Sequence, residues 1–284
     1  MDIKLICSDS MGVRSMAMFV QTNIKIMIDP SASLGPYRYG LKPTVTEYKK
    51  LMEFKRKIKE FANTTDIIII THYHYDHYDP EEDFYHGKKL LIKDGDKNIN
   101  RSQKIRFNFF KDKIKDYEFA DGKEFIFGHT KIKFSKPFHH GNEKSVLGYV
   151  ISVVIESTKK IIFTSDVEGP VVESVADFII SENPELVIID GPPTYFLGYK
   201  FSQNDLERSY NNLKRIVKEI DNVIIDHHLL RDLKYRERLL DVYSTGNAIT
   251  YAEYNNQEIN MLEAHRRDLY KNGDKEYSGL EFLE

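Results

Sequence analysis

Short apolar runs that end abruptly in polar residues recur along the chain and predict β-strands. The first three are KLIC, MAMFV and KIMID, and the third closes at Asp29-Pro30, where a turn is expected. We interpret these three runs as a strand meander. The second half of the chain repeats the pattern in four further runs: GYVISVVIE, KKIIFTSD, LVIIDG and NVIIDHH.

Helical spacing appears between these runs. In segment 46–63 the apolar residues recur every three or four positions, with Lys and Glu on the opposite face: Leu51, Phe54, Ile58 and Phe61. The predicted helix leads into a strand at 66–70, whose IIII is apolar on both faces. Such a strand lies between two layers, so the loop after it is expected at the carboxyl end of a central strand.

Two later segments have helical patterns, and they complete the picture of the fold. Segment 203–220 predicts a helix, and segment 248–270 predicts a final helix. Strand meanders followed by strand–helix units fit two sheets with helices on their outer faces. The sequence therefore predicts an α/β fold, a four-layer α/β/β/α sandwich. Since no linker or short repeat interrupts it, we expect a single domain over 1–284.

Composition and charge limit the class of protein and the compartment in which we expect it. The net charge is −3, so there is no basic field over the whole molecule of the kind that marks obligate nucleic-acid binders. No run approaches the roughly 20 apolar residues that span a bilayer, and the N-terminus lacks the pattern of a signal peptide. We expect a soluble, cytoplasmic protein that does not bind membranes.

One segment, 88–115, is locally basic, with ten lysine or arginine residues and few aspartates. The pattern predicts a short strand and a helix from about Asn100. A solvated charged helix face explains this composition, and so does an electrostatic arm for a polyanionic substrate.

The stretch THYHYDHYD, at 71–79, holds three histidines and two aspartates directly after the apolar run IIII, and its candidate ligands are the histidines and Asp76. In an extended backbone His72 and His74 project to the same side, so both imidazoles can reach one cation. Asp76 and His77 follow on the turn and can face a second cation about 3.5 to 4 Å away. This density of ligands after a buried strand favours a metal loop over a polar surface turn.

Four ligands cannot complete two metal sites, so other strand ends must supply more. Asp166 ends the run IIFTSD, the pair His139/His140 precedes the strand near Gly148, and the pair His227/His228 ends NVIID. Taken singly, each of these residues fits a core or surface position. Together they predict a site assembled from several strand ends.

These motifs carry a resemblance to a known family. HYHYDH resembles the HxHxDH signature of the metallo-β-lactamase superfamily, and the later order His, Asp, His is similar to it over nearly the whole chain. A narrower set of segments resembles a group of predicted metal-dependent hydrolases within that superfamily: SDSMGVRSMAMFV, DPSASLGPYRYG, PFHHGNEKSVLGY, FTSDVEGP, DGPPTYFLG and DHHLLRD.

The resemblance implies a ligand set for two divalent metal ions. It implies that one metal is bound by His72, His74 and one of the pair His139/His140, of which His140 is favoured. It implies that the second is bound by Asp76, His77 and one of the pair His227/His228, of which His227 is favoured. Asp166 would bridge the two metals.

Other implications concern the metal and the supporting residues. His74 stands where related diiron flavoproteins usually carry Glu, which favours a hydrolase. Zinc is the default metal for such a site, with Mn or Fe as alternatives. Asp29 resembles an aspartate that buttresses the metal loop, and Asp190 ends a strand where it can support a ligand; a turn residue explains either equally well. Arg14, Arg38 and Arg231 flank the motifs and could bind an anion, although surface arginines are commoner.

The expected activity is hydrolysis by a metal-bound hydroxide, with Asp76 as the catalytic residue that accepts or orients a proton. We favour phosphodiester cleavage in a nucleic acid or nucleotide. An ester, lactone or thioester hydrolase on the same site is the alternative, and a non-catalytic nucleic-acid-binding module is a further one. The sequence assigns neither the small-molecule or nucleic-acid substrate nor the oligomeric state.

Overall fold

A computed structural model describes residues 1–278, so residues 279–284 of the expected domain lie outside the described residues. Within 1–278 the strands, in chain order, are β1 (Asp2–Leu5), β2 (Met18–Gln21), β3 (Lys25–Ile28), β4 (Ile67–Ile70), β5 (Lys89–Ile92), β6 (Tyr117–Phe119), β7 (Glu124–Phe127), β8 (Thr130–Phe134), β9 (Phe138–His139), β10 (Tyr149–Val150), β11 (Val153–Glu156), β12 (Lys160–Phe163), β13 (Leu186–Ile189), β14 (Val223–Ile225) and β15 (Ala248–Ile249). The α-helices of the same residues are α1 (Val45–Asn63), α2 (Arg101–Lys111), α3 (Glu173–Glu182), α4 (Gln203–Glu219), α5 (Tyr235–Arg238), α6 (Leu240–Tyr243), α7 (Tyr251–Tyr254) and α8 (Arg266–Lys271).

The strands form two main sheets, and a short pair, β9 and β10, lies apart from them. The first sheet has the order β1-β2-β3-β4-β5-β6; its meander β1-β2-β3 is antiparallel, and β3 to β6 run parallel. The second has the order β15-β14-β13-β12-β11-β8-β7, with β12 to β15 parallel. Because carboxyl ends of parallel strands lie at one edge of a sheet, the loops after them can meet.

Alternating side chains of the second sheet show how the layers stack. Ile161 and Phe163 of β12 belong to the core between the sheets, whereas Ile162 belongs to a second core with α3 and α4. On the other side, Phe54 and Ile58 of α1 pack on the first sheet. The predicted four-layer α/β/β/α sandwich is confirmed.

The first long helix forms where its sequence provides both a start signal and an apolar face. The Thr44 side chain accepts a hydrogen bond from the Glu47 backbone N–H, and the Glu47 carboxylate accepts one from the Thr44 N–H. This reciprocal capping satisfies two backbone donors that have no partner inside the helix. The predicted helices at 46–63 and 203–220, and the strand and helix of the basic segment, are confirmed with small shifts of their ends.

The expected final helix over 248–270 is wrong. Ala248 and Ile249 pair with β14 as a short edge strand, and the Thr250 side chain caps the one-turn helix α7. Asn256, at φ 54°, ends that turn, and helix resumes only at Arg266. Pairing with β14 and the cap at Thr250 thus override the helical spacing. Separately, none of the helices in residues 1–278 has the length and apolar character needed to cross a membrane.

Candidate metal centre

The loop after β4 folds into a turn that brings its imidazoles together. The backbone N–H groups of His77 and Tyr78 both donate to the carbonyl of His74, at 2.9 and 3.1 Å. As a result the ring of His72 lies 4.7 Å from that of His74 and 4.2 Å from that of His77, between centroids. The predicted convergence of this loop is present in the structure.

The first group of converging side chains is His72, His74, His140 and Asp166. One ligand atom of each lies within 4.8 Å of the others. Three of the four side chains are buried, and His74 is partly exposed. These residues come from the β4 loop, the segment after β9 and the end of β12, so three distant parts of the chain contribute.

The second group is Asp76, His77 and His227, with ligand atoms again within 4.8 Å of one another. Asp166 lies between the two groups. Its Oδ2 is 3.5 Å from His72 Nε2 and 3.3 Å from His140 Nε2. Its Oδ1 is 3.1 Å from His77 Nε2 and 3.6 Å from His227 Nε2. The two oxygens of one carboxylate therefore face different groups.

The structure separates the two histidine pairs. His140 is buried in the first group, whereas His139 is half-buried and its ring lies 4.7 Å from that of Tyr149. Both members of the second pair reach the centre: besides His227, His228 places its Nε2 3.7 Å from Asp166 Oδ2. The choice between His227 and His228 is thus replaced by two histidines facing opposite oxygens of Asp166.

The donor atoms of these residues fit a divalent metal. Within residues 1–278, several buried atoms of the centre have no hydrogen-bond partner in suitable geometry, although His77 Nε2 and Asp166 Oδ1 lie 3.1 Å apart: His72 Nε2, His77 Nε2, His140 Nε2 and Asp166 Oδ1. Buried polar atoms are normally paired, because leaving one unpaired costs about 1–3 kcal/mol. Two ligands of a tetrahedral zinc ion lie about 3.3 Å apart, given bonds of about 2.0–2.2 Å. The distances around Asp166 match that spacing.

Carboxylates hold the outer nitrogens of three histidines. His77 Nδ1 lies 2.8 Å from Asp29, His227 Nδ1 2.8 Å from Asp9, and His228 Nδ1 2.8 Å from Asp190. A proton held on Nδ1 in this way leaves Nε2 with a free lone pair directed at the centre. Asp29 also accepts from the Thr71 N–H and hydroxyl, and so fixes the start of the loop.

The electrostatics differ between the two groups. Burial lowers the pKa of His72 well below its usual range and that of His74 to about 3, which leaves both imidazoles neutral. Burial and Arg231 also act to lower the pKa of His227, but Asp166 and Asp9 outweigh them and raise it to about 9. The first group is therefore ready to bind metal at neutral pH, whereas a proton competes for His227.

Backbone strain is concentrated at this centre. Of the eight non-glycine residues with positive φ in the described part of the chain, four belong to it: Asp29, Ser165, Glu168 and His227. His227, at φ 52°, is held by Asp226, whose carboxylate accepts from the N–H groups of His227, Ser10 and Tyr251. Such conformations cost roughly 1–3 kcal/mol each and persist where the surroundings fix them.

Sequence reasoning missed two residues of the centre. Asp9 is absent from the predicted site, although it follows β1 closely, as the other site residues follow their strands. Arg231 is expected to bind an anion or, more commonly, to lie on the surface; it is buried, its Nε donates to Asp9 at 2.8 Å, and its Nη2 lies 3.8 Å from Asp76. The signal for Arg231 was its place four residues after His227 in DHHLLRD.

The basic segment 88–115 uses many of its charges internally. Lys93 is buried and pairs with Asp121 at 2.6 Å, and Lys89 pairs with Glu118 at the same distance. Arg106 donates to the Tyr73 carbonyl and lies over the Tyr75 ring, so it braces the metal loop. These contacts support structural roles for a large part of the segment.

Comparison with other proteins places the chain among close relatives. A UPF0282 protein of Korarchaeum cryptofilum is 45% identical over 283 residues, covering 95% of both chains. A second UPF0282 protein, from Sulfurisphaera tokodaii, is 44% identical over 292 residues, covering 97% of this chain and 94% of its own. No protein-family model matches the sequence.

Solved structures share the fold at low identity. The isothiocyanate hydrolase from Delia radicum gut bacteria superposes with a TM-score of 0.53 at 16% identity, covering 84% of this chain and 94% of its own. A possible metal-dependent hydrolase from Veillonella parvula gives 0.52 at 12% identity, covering 87% and 94%. The fold is that of metallo-β-lactamase-type hydrolases, as the motif resemblance indicated.

Proposed function

Because the chain belongs to the UPF0282 family and has a metallo-β-lactamase fold, we propose that it is a metal-dependent hydrolase with a binuclear site. The observation that carries this proposal is the position of Asp166, whose two oxygens face two groups of buried ligand atoms. We further propose that the bond cleaved is a phosphodiester, in a nucleotide or nucleic acid.

Each metal has a defined set of donors in this proposal. His72, His74 and His140 would hold the first cation, Asp76, His77 and His227 would hold the second, and Asp166 would contribute to both. Imidazole-rich sets with carboxylates suit zinc, with manganese or iron as alternatives. When bound, the cations supply Lewis acidity, which lowers the pKa of water toward neutrality and stabilises negative charge in the transition state.

The chain's own residues orient the reaction. Asp76 is one of the two partly exposed members of the seven, with 16% of its side chain accessible, so its carboxylate can accept a hydrogen bond from an attacking water and orient it. Arg231 Nη2, 3.8 Å away, keeps a positive charge beside that carboxylate. The buried side chains below them exclude bulk water, which strengthens both electrostatic effects.

The positive charge of Arg231 beside the centre supports a substrate that is itself anionic. A phosphodiester carries one negative charge and gains another in the transition state, and guanidinium groups complement both. An ester, lactone or thioester needs no such charge. The same ligand set can act on those substrates, so the test includes them.

The test combines metal analysis with matched assays. We expect the purified protein to contain a transition metal and to hydrolyse bis(p-nitrophenyl) phosphate. We expect Asp166→Asn to lose activity by roughly a hundredfold or more, because it disturbs both groups at once. Asp221→Asn changes an exposed aspartate at the start of β14 and serves as the control.

Two results would contradict the proposal. Turnover confined to lactone and thioester panels would reject phosphodiester cleavage while keeping the hydrolase. Absence of metal from the native protein, together with unchanged activities in His72→Ala and Asp166→Ala, would reject the catalytic site itself.

A further inference from the structure

We propose that Arg38 and Tyr195 bind a phosphate monoester group of the substrate, separate from the phosphodiester that is cleaved. This inference rests on the proposed function and names the substrate more narrowly, as a nucleotide or oligonucleotide with a second phosphate near the scissile bond. Three arginines beside the metal centre lead to it, since within residues 1–278 only Arg38 among them has no carboxylate partner.

Two of the three arginines already have a carboxylate partner. Arg14 donates to both oxygens of Glu263, at 2.6 and 2.7 Å. Arg231 donates through Nε to Asp9 at 2.8 Å. For Arg38, by contrast, no carboxylate among residues 1–278 lies within ion-pair distance. Its positive charge is therefore available to a ligand.

The guanidinium of Arg38 is nevertheless held in place. Its Nη2 donates to the Arg231 carbonyl at 2.9 Å, and its Cζ lies 4.8 Å above the centre of the Tyr195 ring. Its Nε is buried and has no hydrogen-bond partner within the described residues. The side chain as a whole is half-buried, so Nε and Nη2 are fixed while the remainder of the guanidinium can contact solvent or substrate. Because Nη2 also donates to the Tyr39 hydroxyl at 3.4 Å, Nη1 is the nitrogen left to donate to the oxygens of a phosphate.

Tyr195 connects this group to the metal ligands. Arg231 donates through Nη1 to the Tyr195 hydroxyl at 3.2 Å. The Nη2 of the same guanidinium lies 3.1 Å from His227 Nε2. The Arg231 guanidinium thus lies between the Tyr195 hydroxyl and His227, a proposed metal ligand. Arg38 lies on the Tyr195 ring, further from the metal centre than Arg231. That separation suits two phosphates of one substrate, the scissile one at the metals and the other at Arg38.

The loop that carries Arg38 packs closely against Arg14, Glu263 and Ala264. Arg38 and Leu41 exchange backbone hydrogen bonds at 2.9 Å, and the Tyr39 hydroxyl donates to the Ala264 carbonyl. A Cβ at Gly35 would lie 2.4 Å from Arg14 Nη2 and 2.5 Å from Glu263 Oε2, so the loop backbone comes close to that ion pair. Because the loop is already ordered by these contacts, binding there pays little conformational entropy.

Paired substrates test the proposal directly. The p-nitrophenyl ester of thymidine 5′-phosphate is compared with the same ester carrying a 3′-phosphate. For the unmodified protein we expect kcat/KM to be at least roughly tenfold higher for the phosphorylated ester, the usual size of a charge-assisted contact. In Arg38→Met the ratio of the two kcat/KM values should fall to about one.

Arg267→Met is the matched control. Arg267 is exposed, and its Cζ lies 4.4 Å from the centre of the Tyr39 ring, which Arg38 also contacts. This variant should keep the substrate ratio of the unmodified protein. A ratio unchanged by Arg38→Met, or a ratio of one in the unmodified protein, would overturn the inference while leaving the hydrolase intact.

A binding measurement separates this inference from the proposed function. Sulfate, a poor ligand of transition metals, is titrated calorimetrically into the full chain as purified. We expect sulfate binding that Arg38→Met weakens at least roughly tenfold and Arg267→Met leaves unchanged, with equal melting temperatures. Absent or Arg38-independent binding would overturn the inference. Arg38-dependent binding without turnover of either ester would count against the proposed phosphodiesterase alone.

Discussion

At the scale of the residue, the centre depends on which nitrogen of each imidazole is free. Asp29, Asp9 and Asp190 each hold an Nδ1 at 2.8 Å, and each follows the end of a strand closely. An imidazole whose Nδ1 is already hydrogen-bonded to a carboxylate needs no reordering when a metal binds at its Nε2. Mutation of a residue that holds a metal ligand in this way typically lowers metal affinity by 10- to 100-fold.

Asp29→Asn tests this arrangement. An amide can no longer hold the His77 proton in the same way, so we expect metal affinity to fall by roughly 10- to 100-fold, with the largest loss at the second cation. Competition with a chromogenic chelator measures the change. Asp66→Asn, an exposed aspartate that accepts from the Lys25 N–H, is the control and should bind metal normally. Equal affinities in both variants would show that Asp29 is only a turn residue.

The side chains that meet at the centre could be anticipated because several histidines and aspartates followed apolar runs. HYHYDH is dense enough in ligands to be informative alone, and Asp166 and the two histidine pairs stood at comparable strand ends. Asp9 could not be found in this way, since a single aspartate after a strand is common. The position of Arg38 over Tyr195 depends on a loop contact that sequence spacing does not encode.

At the scale of the element, long apolar strands and amphipathic helices were predictable, and the end of the chain was not. The periodicity of α1 and α4 reports directly on the face each buries. The two-residue strand β15 and the short helices after it have too few residues to show a period. They are fixed by contacts with distant segments, among them a buried ion pair between α8 and α1.

That ion pair supports a stability prediction. Arg266 donates to both oxygens of Glu47, and both side chains are fully buried. We expect Arg266→Met to lower the free energy of unfolding by about 3–5 kcal/mol, because it leaves the Glu47 charge buried and unpaired. Urea denaturation measures it. Arg267→Met, at the next and exposed position, should change stability by less than about 0.5 kcal/mol. Similar losses in both variants would contradict a special role for the pair.

At the scale of the whole molecule, metal and protons compete for the same buried groups. His72 and His74 are neutral in the metal-free fold and take up protons on unfolding, so stability falls as pH drops below about 6.5. His77 and His227 behave oppositely: burial acts to lower the pKa of each, but nearby carboxylates outweigh it and raise both. The His227 pKa of about 9 makes its contribution complete below about pH 6.5 and lost as pH rises to about 9. Metal-free protein should therefore be most stable near pH 6.5.

Melting curves of chelated and metal-loaded protein between pH 4 and 10 test this expectation. Chelated protein should lose at least on the order of 3 kcal/mol between pH 6.5 and 9 from the shift of His227, and the raised pKa of His77 adds to the loss. Loaded protein should lack this alkaline loss, because the cation replaces the proton. A chelated protein whose stability stays level over that range would contradict the assigned charge of His227.

Of the seven side chains assigned to the two cations, His74 and Asp76 are the two that are not fully buried. The other five close the centre on its inner side. Cations and substrate would then approach from the side of His74 and Asp76, and a substrate bound against these two residues would block that side. Metal exchange would consequently be ordered in time: product leaves first, and a cation can be lost or replaced only in the interval before the next substrate arrives.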